Sequence, residues 1–338
     1  MLAAALRHRY GALAVLILVI ALVPLMAPSA FHLRVAALVW VFALAALGLT
    51  ILTGFAGQIS LGHAGFLGLG AYGFAIGPAH LGLHPLPSLL LSAAFAGVVA
   101  YLVGRPILRL KGYTLAIATL GFGLILSLLF NNEGDLTGGP DGMPVKAPTL
   151  FGWRVAGAAT WYWLTAGALL LGAWIALNLR ASPAGRALRA LHDSETAAAG
   201  TGIDVAGKKL AAFVISAVYA AVAGALLAGM NGLVTPDAAG FMQSIELVAM
   251  VIIGGLGSVL GSIFGAVFIT LLPIVIRTLM ENVGSLFFTE SELASVVSGT
   301  RLAVFGGLII FFLVIEPEGL NRLWRNVRSY FRVWPFSY

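Results

Sequence analysis

From Val35 to Thr53 the chain reads VAALVWVFALAALGLTILT, without one charged side chain. A helix crosses the hydrocarbon core of a bilayer with about 20 apolar residues, and there each backbone N–H and C=O must bond within its own segment. Runs of this kind recur along the whole chain, so the permitted fold is narrow: all-α, a polytopic α-helical membrane protein. Composition points the same way. Of the 338 residues 60% are hydrophobic and only 9% charged, against about a quarter charged in soluble domains. Mean hydropathy is +1.01. Cysteine is absent, which excludes disulfides, thiol nucleophiles and Cys-ligated metals.

The runs predict about ten spans, near 10–27, 35–53, 59–78, 88–104, 113–130, 160–179, 208–230, 244–256, 258–276 and 296–315. The first, preceded by Arg7-His8-Arg9, resembles a signal peptide. Pro28 interrupts the small-residue pattern of APSA at 27–30, so a retained first helix is expected. Placing both termini in the cytoplasm puts most of the 19 lysines and arginines on the inner side. They run from Arg7 and Arg9 through the loops near 105–111 and 180–209 to the tail at 322–332. Only Arg34, Lys146, Arg154, Arg277 and Arg301 fall in or near outer segments. The net charge of +6 is thus a topology signal, and no motif supports nucleic-acid binding. One membrane domain over 1–338 is expected, with an outer loop at 131–160, an inner loop at 180–209 and a basic tail at 316–338.

The inner loop reads RASPAGRALRALHDSETAAAGTGIDVAGKK. Ser182-Pro183 offers an N-cap with proline at the first helical position, and Gly200 and Gly202 offer stops. Between them a helix of about four turns is expected, with Leu188 and Leu191 apolar and Arg186, Arg189, His192 and Glu195 polar. Such a helix lies on a bilayer or docks into a partner.

Three motifs fail on context. GLGAYG at 68–73 fits a dinucleotide fingerprint but lies inside a span, not between a strand and a helix. GIDVAGKK at 202–209 is one residue short of a phosphate-binding loop, and Lys209 replaces the hydroxyl residue that holds magnesium. His80 and His84 have a metal-like spacing, but Gly82 and Pro85 argue against the helix that would align them.

The segment GFAGQISLGHAGFLGLGAYGFAIG at 54–77 poses a sharper question. At 100° per residue Gly62, Gly65, Gly70, Gly73 and Gly77 share an arc of about 140° on one helix face. Glycine weakens a helix by about 1 kcal/mol relative to alanine, and membrane helices recover that through close backbone packing. Packing alone leaves Gln58, Ser60 and His63 unexplained, because polar side chains at membrane depth face a cavity or a partner. GGLGSVLGSIFGAV at 254–267 is a second glycine-broken segment. A pair of these points to a translocation path. Gln58, Ser60, Gly62, His63, Gly65 and Gly70 are its candidate lining, and leucine at Gly65 or Gly70 is expected to stop transport without stopping assembly. Glu246 either complements the N-terminal dipole of its helix or lines an outer vestibule. Arg277, Glu281 and Arg301 read as interfacial ions.

GLTILTGFAGQISLGHAGFLGLGAY at 48–72 resembles the signature of the LivM-type permease subunits of bacterial branched-chain amino-acid ABC importers. The likeness continues in order through LKGYTLAIATLGFG at 110–123, NNEGDLTGGPDGM at 131–143, the segment 185–226, the segment 234–266 and EPEGL at 316–320. It implies a multi-pass permease of the bacterial inner membrane. Its partners would be a homologous second permease, two cytoplasmic ATP-binding subunits and a periplasmic substrate-binding protein. This chain would bind no cofactor, with ATP and Mg on the partner subunits. ETAAAGTG resembles the segment that docks on the ATPase, which assigns Gly185, Arg186, Arg189, Glu195, Ala198 and Gly202 to coupling. HDSETAAAGTG is less acidic than the family pattern, and Gly200 predicts a shorter helix. Urea or short-chain amides are alternative substrates to branched-chain amino acids. An ion-coupled carrier would need intramembrane acids, of which the central spans offer almost none, and a membrane enzyme would need an acid–base or metal constellation.

Overall fold

The computed structural model describes residues 2–26, 29–146, 148–150 and 153–284, with scattered positions from 303 to 311. The tail expected at 316–338, Arg301, the side chain of Glu281 and most of the span expected at 296–315 lie outside the described residues. The long helices are α1 (Leu2–Met26), α2 (Ala30–Thr50), α3 (His63–His80), α4 (Pro85–Ile107) and α5 (Tyr113–Asn132). A short α6 (Gly134–Thr137) precedes α7 (Ala158–Ala181), α8 (Pro183–Asp193) and α9 (Glu195–Gly200). Then follow α10 (Val205–Asn231), α11 (Phe241–Gly254) and α12 (Val259–Gly284).

Among the described residues six helices are long and apolar enough to cross a membrane: Ala30–Phe55, α4, α5, α7, α10 and Val259–Thr278. Shorter apolar helices cover Leu13–Met26 and Phe241–Gly254. α3 is not among them, because two terminal histidines and its glycines dilute its apolar residues. The strands are minor. β1 (Met143–Pro144) pairs antiparallel with β4 (Leu233–Val234), and β2 (Thr149–Leu150) with β3 (Trp153–Arg154). The first pair ties the loop after α5 to the end of α10.

Helix ends follow local chemistry. Pro85 opens α4, where its missing N–H costs nothing. At the start of α10 the Asp204 carboxylate accepts from Gly207 N at 3.0 Å. The core is a tight helix bundle with α3 inside it, against α10, α4, α5 and α11. α2 packs between α7, α10 and α12. Small residues set the spacing: a methyl at Gly70 would overlap the Ala221 carbonyl, and one at Gly224 the Leu67 carbonyl. The periphery is apolar instead of charged, with Leu90, Phe95, Ile117, Ile125, Leu128 and Trp174 exposed. A surface of that kind suits lipid or another membrane subunit.

Two expectations need correction. The third span was expected over 59–78, but α3 begins at His63 and residues 56–62 are irregular. α2 instead runs on through a π-helical turn at Ile51–Phe55. The single inner helix is two, because Ser194 is extended (φ −161°, ψ 114°) and caps α9 through a bond from Ala197 N at 3.3 Å.

Candidate functional site

The π-helical turn is where the first break starts. Thr53 Oγ1 donates back to Leu49 O at 2.7 Å, and Gln58 N donates to Leu52 O at 3.1 Å. Gly57 turns the chain at φ +67°, a conformation side chains rarely adopt. Residues 56–62 then lack a helical ladder, so their backbone donors need other partners. One comes from a distant helix: Leu61 N donates to Thr119 Oγ1 of α5 at 3.1 Å, and just beyond, in the first turn of α3, Ala64 N donates to Ser244 Oγ of α11 at 3.0 Å. On α10, Ser216 Oγ lies 3.5 Å from His63 Nε2.

The polar side chains of this break are buried, although Ile59 is exposed. Gln58 is 3% exposed, Ser60 1% and His63 0%. Both polar atoms of Gln58, Ser60 Oγ and His63 Nδ1 have no hydrogen-bond partner among the described residues. Each such group costs about 1–3 kcal/mol when buried, so four atoms in six residues are an expensive arrangement. Beside them Phe66 packs on Phe122 and Phe213 with ring centroids 5.3 and 5.4 Å apart. The break therefore offers uncharged donors and acceptors next to an aromatic surface.

A second break, at 255–258, separates α11 from α12. Its polar groups are satisfied: Gly261 N donates to Ser258 Oγ at 3.0 Å, Ser262 Oγ donates to Ser258 O at 2.9 Å, and Thr50 Oγ1 lies 2.5 Å from Ser262 Oγ. The two breaks touch, since a methyl at Gly54 would overlap the Gly257 backbone. Their sequences are alike as well. GFAGQISLG at 54–62 and GGLGSVLG at 254–261 share G-x-x-G, a polar residue, a β-branched residue and Leu-Gly, with Ser60 extra in the first.

At the end of the bundle where α7 ends and α10 begins, α8 and α9 form a compact unit. Leu188, Leu191 and Ala198 are buried, and Gly185 fits against the last carbonyls of α7. Ser182 Oγ accepts from Gly185 N at 3.1 Å, while Arg186 Nη1 donates to Ala181 O at 3.2 Å. Arg189 and Gly202 are exposed. Glu195 instead faces the protein, paired with Lys209 and 3.7 Å from Lys111 Nζ. A Cβ at Gly57 would lie 3.1 Å from His192 Cδ2, so α8 rests directly on the first break.

The sequence candidates thus separate into groups. Gln58, Ser60, Gly62 and His63 converge in the first break, but the glycine face is shared among three helices. Gly62 and Gly65 meet α5, Gly70 meets α10, and Gly73 and Gly77 meet Ser92 and Ser88 of α4. At Gly65 an added Cβ would meet Leu126 Cδ1 at 3.0 Å and Gly123 Cα at 3.2 Å, whereas at Gly70 it would strike backbone. Leucine at Gly70 would therefore force α3 and α10 apart. Glu246 is half-buried and accepts from Gln243 Nε2 at 3.4 Å. α11 begins at Phe241, so Glu246 lies beyond the first turn and does not serve the dipole. Thr119, Ser216, Ser244, Lys111 and Lys209 were not singled out as partners by sequence. Their contacts to the break span 58, 153 and 180 residues for the three hydroxyls, and no local pattern signals them.

Residues 31–313 match the family described as branched-chain amino acid transport system / permease component. The chain is 33% identical over 310 residues to the high-affinity branched-chain amino acid transport system permease protein LivM of Escherichia coli (strain K12), covering 85% of this chain and 69% of that protein. It is 28% identical over 301 residues to the permease protein LivH of the same organism, covering 82% and 90%. It is 29% identical over 192 residues to the autoinducer 2 import system permease protein LsrC of Klebsiella pneumoniae, covering 55% and 52%. No solved structure matches the chain.

Proposed function

The chain belongs to the permease family of branched-chain amino acid transport systems, and from that premise we propose that it forms one half of the path of an ATP-driven importer for hydrophobic amino acids. The observation that carries this reading is the seat of His192 on Gly57. It joins a solvent-facing helix pair to the break that holds Gln58, Ser60 and His63.

The second permease is a homologous chain; likeness to both LivM and LivH supports a paired arrangement. Two cytoplasmic ATP-binding subunits supply energy and a periplasmic binding protein delivers substrate. The chain sits in the bacterial inner membrane with both termini cytoplasmic. Arg186, Arg189 and Gly202 face the ATPase, while Gly185 and Ala198 seat α8 and α9 on the membrane helices. ATP and Mg stay on the partner subunits: Lys209 of the loop-like GIDVAGKK is engaged by Glu195, not free for phosphate.

The mechanism is alternating access. Closure of the ATPases moves α8 and α9, His192 presses on Gly57, and the two touching breaks re-pack. Gln58, Ser60 and His63 then meet the polar head of the substrate, while Phe66, Phe122 and Phe213 meet its apolar side chain. That pairing favours an apolar amino acid over urea, and the absence of a carboxylate from residues 56–63 disfavours ion coupling. Gly65 and Gly70 keep α3 close to α5 and α10, and Glu246 lines the approach.

The test is uptake of labelled leucine into vesicles loaded with ATP. They carry this chain, its neighbouring permease, both ATPases and the binding protein. Saturable uptake that needs ATP and is blocked by excess valine is expected. Uptake abolished by an uncoupler at constant ATP would overturn the importer, and ATP hydrolysis without leucine movement would overturn the substrate.

A further inference from the structure

One carboxylate joins three parts of the chain. Glu195, the first residue of α9, accepts a hydrogen bond from the Lys209 ammonium of α10, and its other oxygen lies 3.7 Å from Lys111 Nζ in the turn between α4 and α5. The Lys209 side chain is 6% exposed, Glu195 35% and Lys111 75%. Lys209 therefore depends on Glu195, since a buried ammonium without its partner is strongly unfavourable. The Lys111 contact, open to water, adds little alone.

The helices reached in this way are the ones that grip the first break. α10, which carries Lys209, presents Ser216 to His63. α5, which follows Lys111, presents Thr119 to Leu61 N. The face of α8 and α9 turned to solvent is a different one, with Arg186, Arg189, Thr196, Ala197 and Ala199 exposed.

We infer that Glu195 is a positioning residue that clamps the α8–α9 unit to α10 and α5, and that it is not a contact for the ATPase. The inference rests on the reading that this unit receives the movement of the ATPase. The clamp makes the unit move with the two helices that hold the break, so a push on the exposed face reaches residues 57–63 by three routes: His192, α10 and α5.

The test uses the whole complex in vesicles. Glu195→Gln keeps the ATPase subunits in the purified complex, while leucine moved per ATP falls about fivefold or more. Glu195→Lys alone is as poor, and the exchange Glu195→Lys with Lys209→Glu restores leucine per ATP to within about twofold of the parent. Loss of the ATPases in Glu195→Gln, or no gain from the exchange, overturns the clamp. Because Glu195→Gln strands a buried ammonium, Glu195→Gln with Lys209→Gln serves where the single variant does not fold, with the same fivefold loss expected.

A second readout is independent of transport. The chain has no cysteine, so spin labels at Arg109→Cys and Arg189→Cys in the full chain in lipid discs report on the clamp directly. Glu195→Gln should broaden their distance distribution, and an unchanged distribution overturns the clamp. If the parent complex moves no amino acid, the importer reading fails while the distances still judge Glu195.

Discussion

The break at 56–62 and the break at 255–258 share a sequence pattern and touch at Gly54 and Gly257, but their polar groups are treated differently. In the second, Ser258 and Ser262 bond to nearby backbone and to Thr50. In the first, the backbone donors of Leu61 and Ala64 are held by hydroxyls on α5 and α11, and the polar atoms of Gln58, Ser60 Oγ and His63 Nδ1 go without partners among the described residues. A turn bonded mostly within its own segment depends less on what its neighbours do. A turn held from outside changes when the holding helices shift, and its stranded groups are then free to take a ligand. Repeating one pattern therefore yields a pivot and a responsive segment in contact.

Four substitutions break or sharpen this contrast. Gly54→Ala drives a methyl into the Gly257 backbone, and a loss of about 3 kcal/mol is expected. The thermal midpoint of the purified chain should drop and uptake disappear; an unchanged midpoint would mean the breaks are not in contact. Gln58→Leu should cut leucine uptake about tenfold, or 1.4 kcal/mol of transition-state stabilisation, while stability holds or rises by about 1 kcal/mol because an unpaired amide is removed. If stability fell along with uptake, the first break would be structural like the second. Gly57→Ala forces a side chain into φ +67° beside His192, at about 1 kcal/mol. It should lower leucine moved per ATP about fivefold, and full coupling would remove His192 from the transmission. Ser262→Ala loses the bonds to Thr50 and Ser258 O; about 1 kcal/mol of stability is expected, with uptake within about twofold. A larger transport defect would give the second break a role beyond support.

Much of the fold was legible because bilayer crossing leaves few options. The runs at 88–104, 113–130, 160–179 and 208–230 fall on α4, α5, α7 and α10 to within a few residues, since long apolar stretches bounded by basic or turn-forming residues have one low-energy reading. Residues 59–62 read as helix because hydropathy reports depth and not conformation. Only the turn at Gly57 and the cross-helix bonds to Thr119 and Ser244 stop the ladder there. The polar members of the first break were visible as costly residues in an apolar run. Ser216, Thr119 and Ser244 were invisible, because a hydroxyl that caps another helix looks in sequence like any helix serine or threonine. Glu195 stood out through its motif, whereas its pairing with Lys209 did not: that lysine stood out only as the reason to reject a nucleotide loop.

α3 has a further consequence, for how the protein is made. The insertion machinery sorts segments by hydrophobicity as they emerge, and α3 falls short of the apolarity of its neighbours. Its place is secured instead by close contact with α4, α5, α10 and α11, and α10 and α11 are synthesised after the other two. The contacts that hold α3 are thus completed only when α10 and α11 have been made, and truncation before residue 205 should leave α3 exposed to membrane proteases.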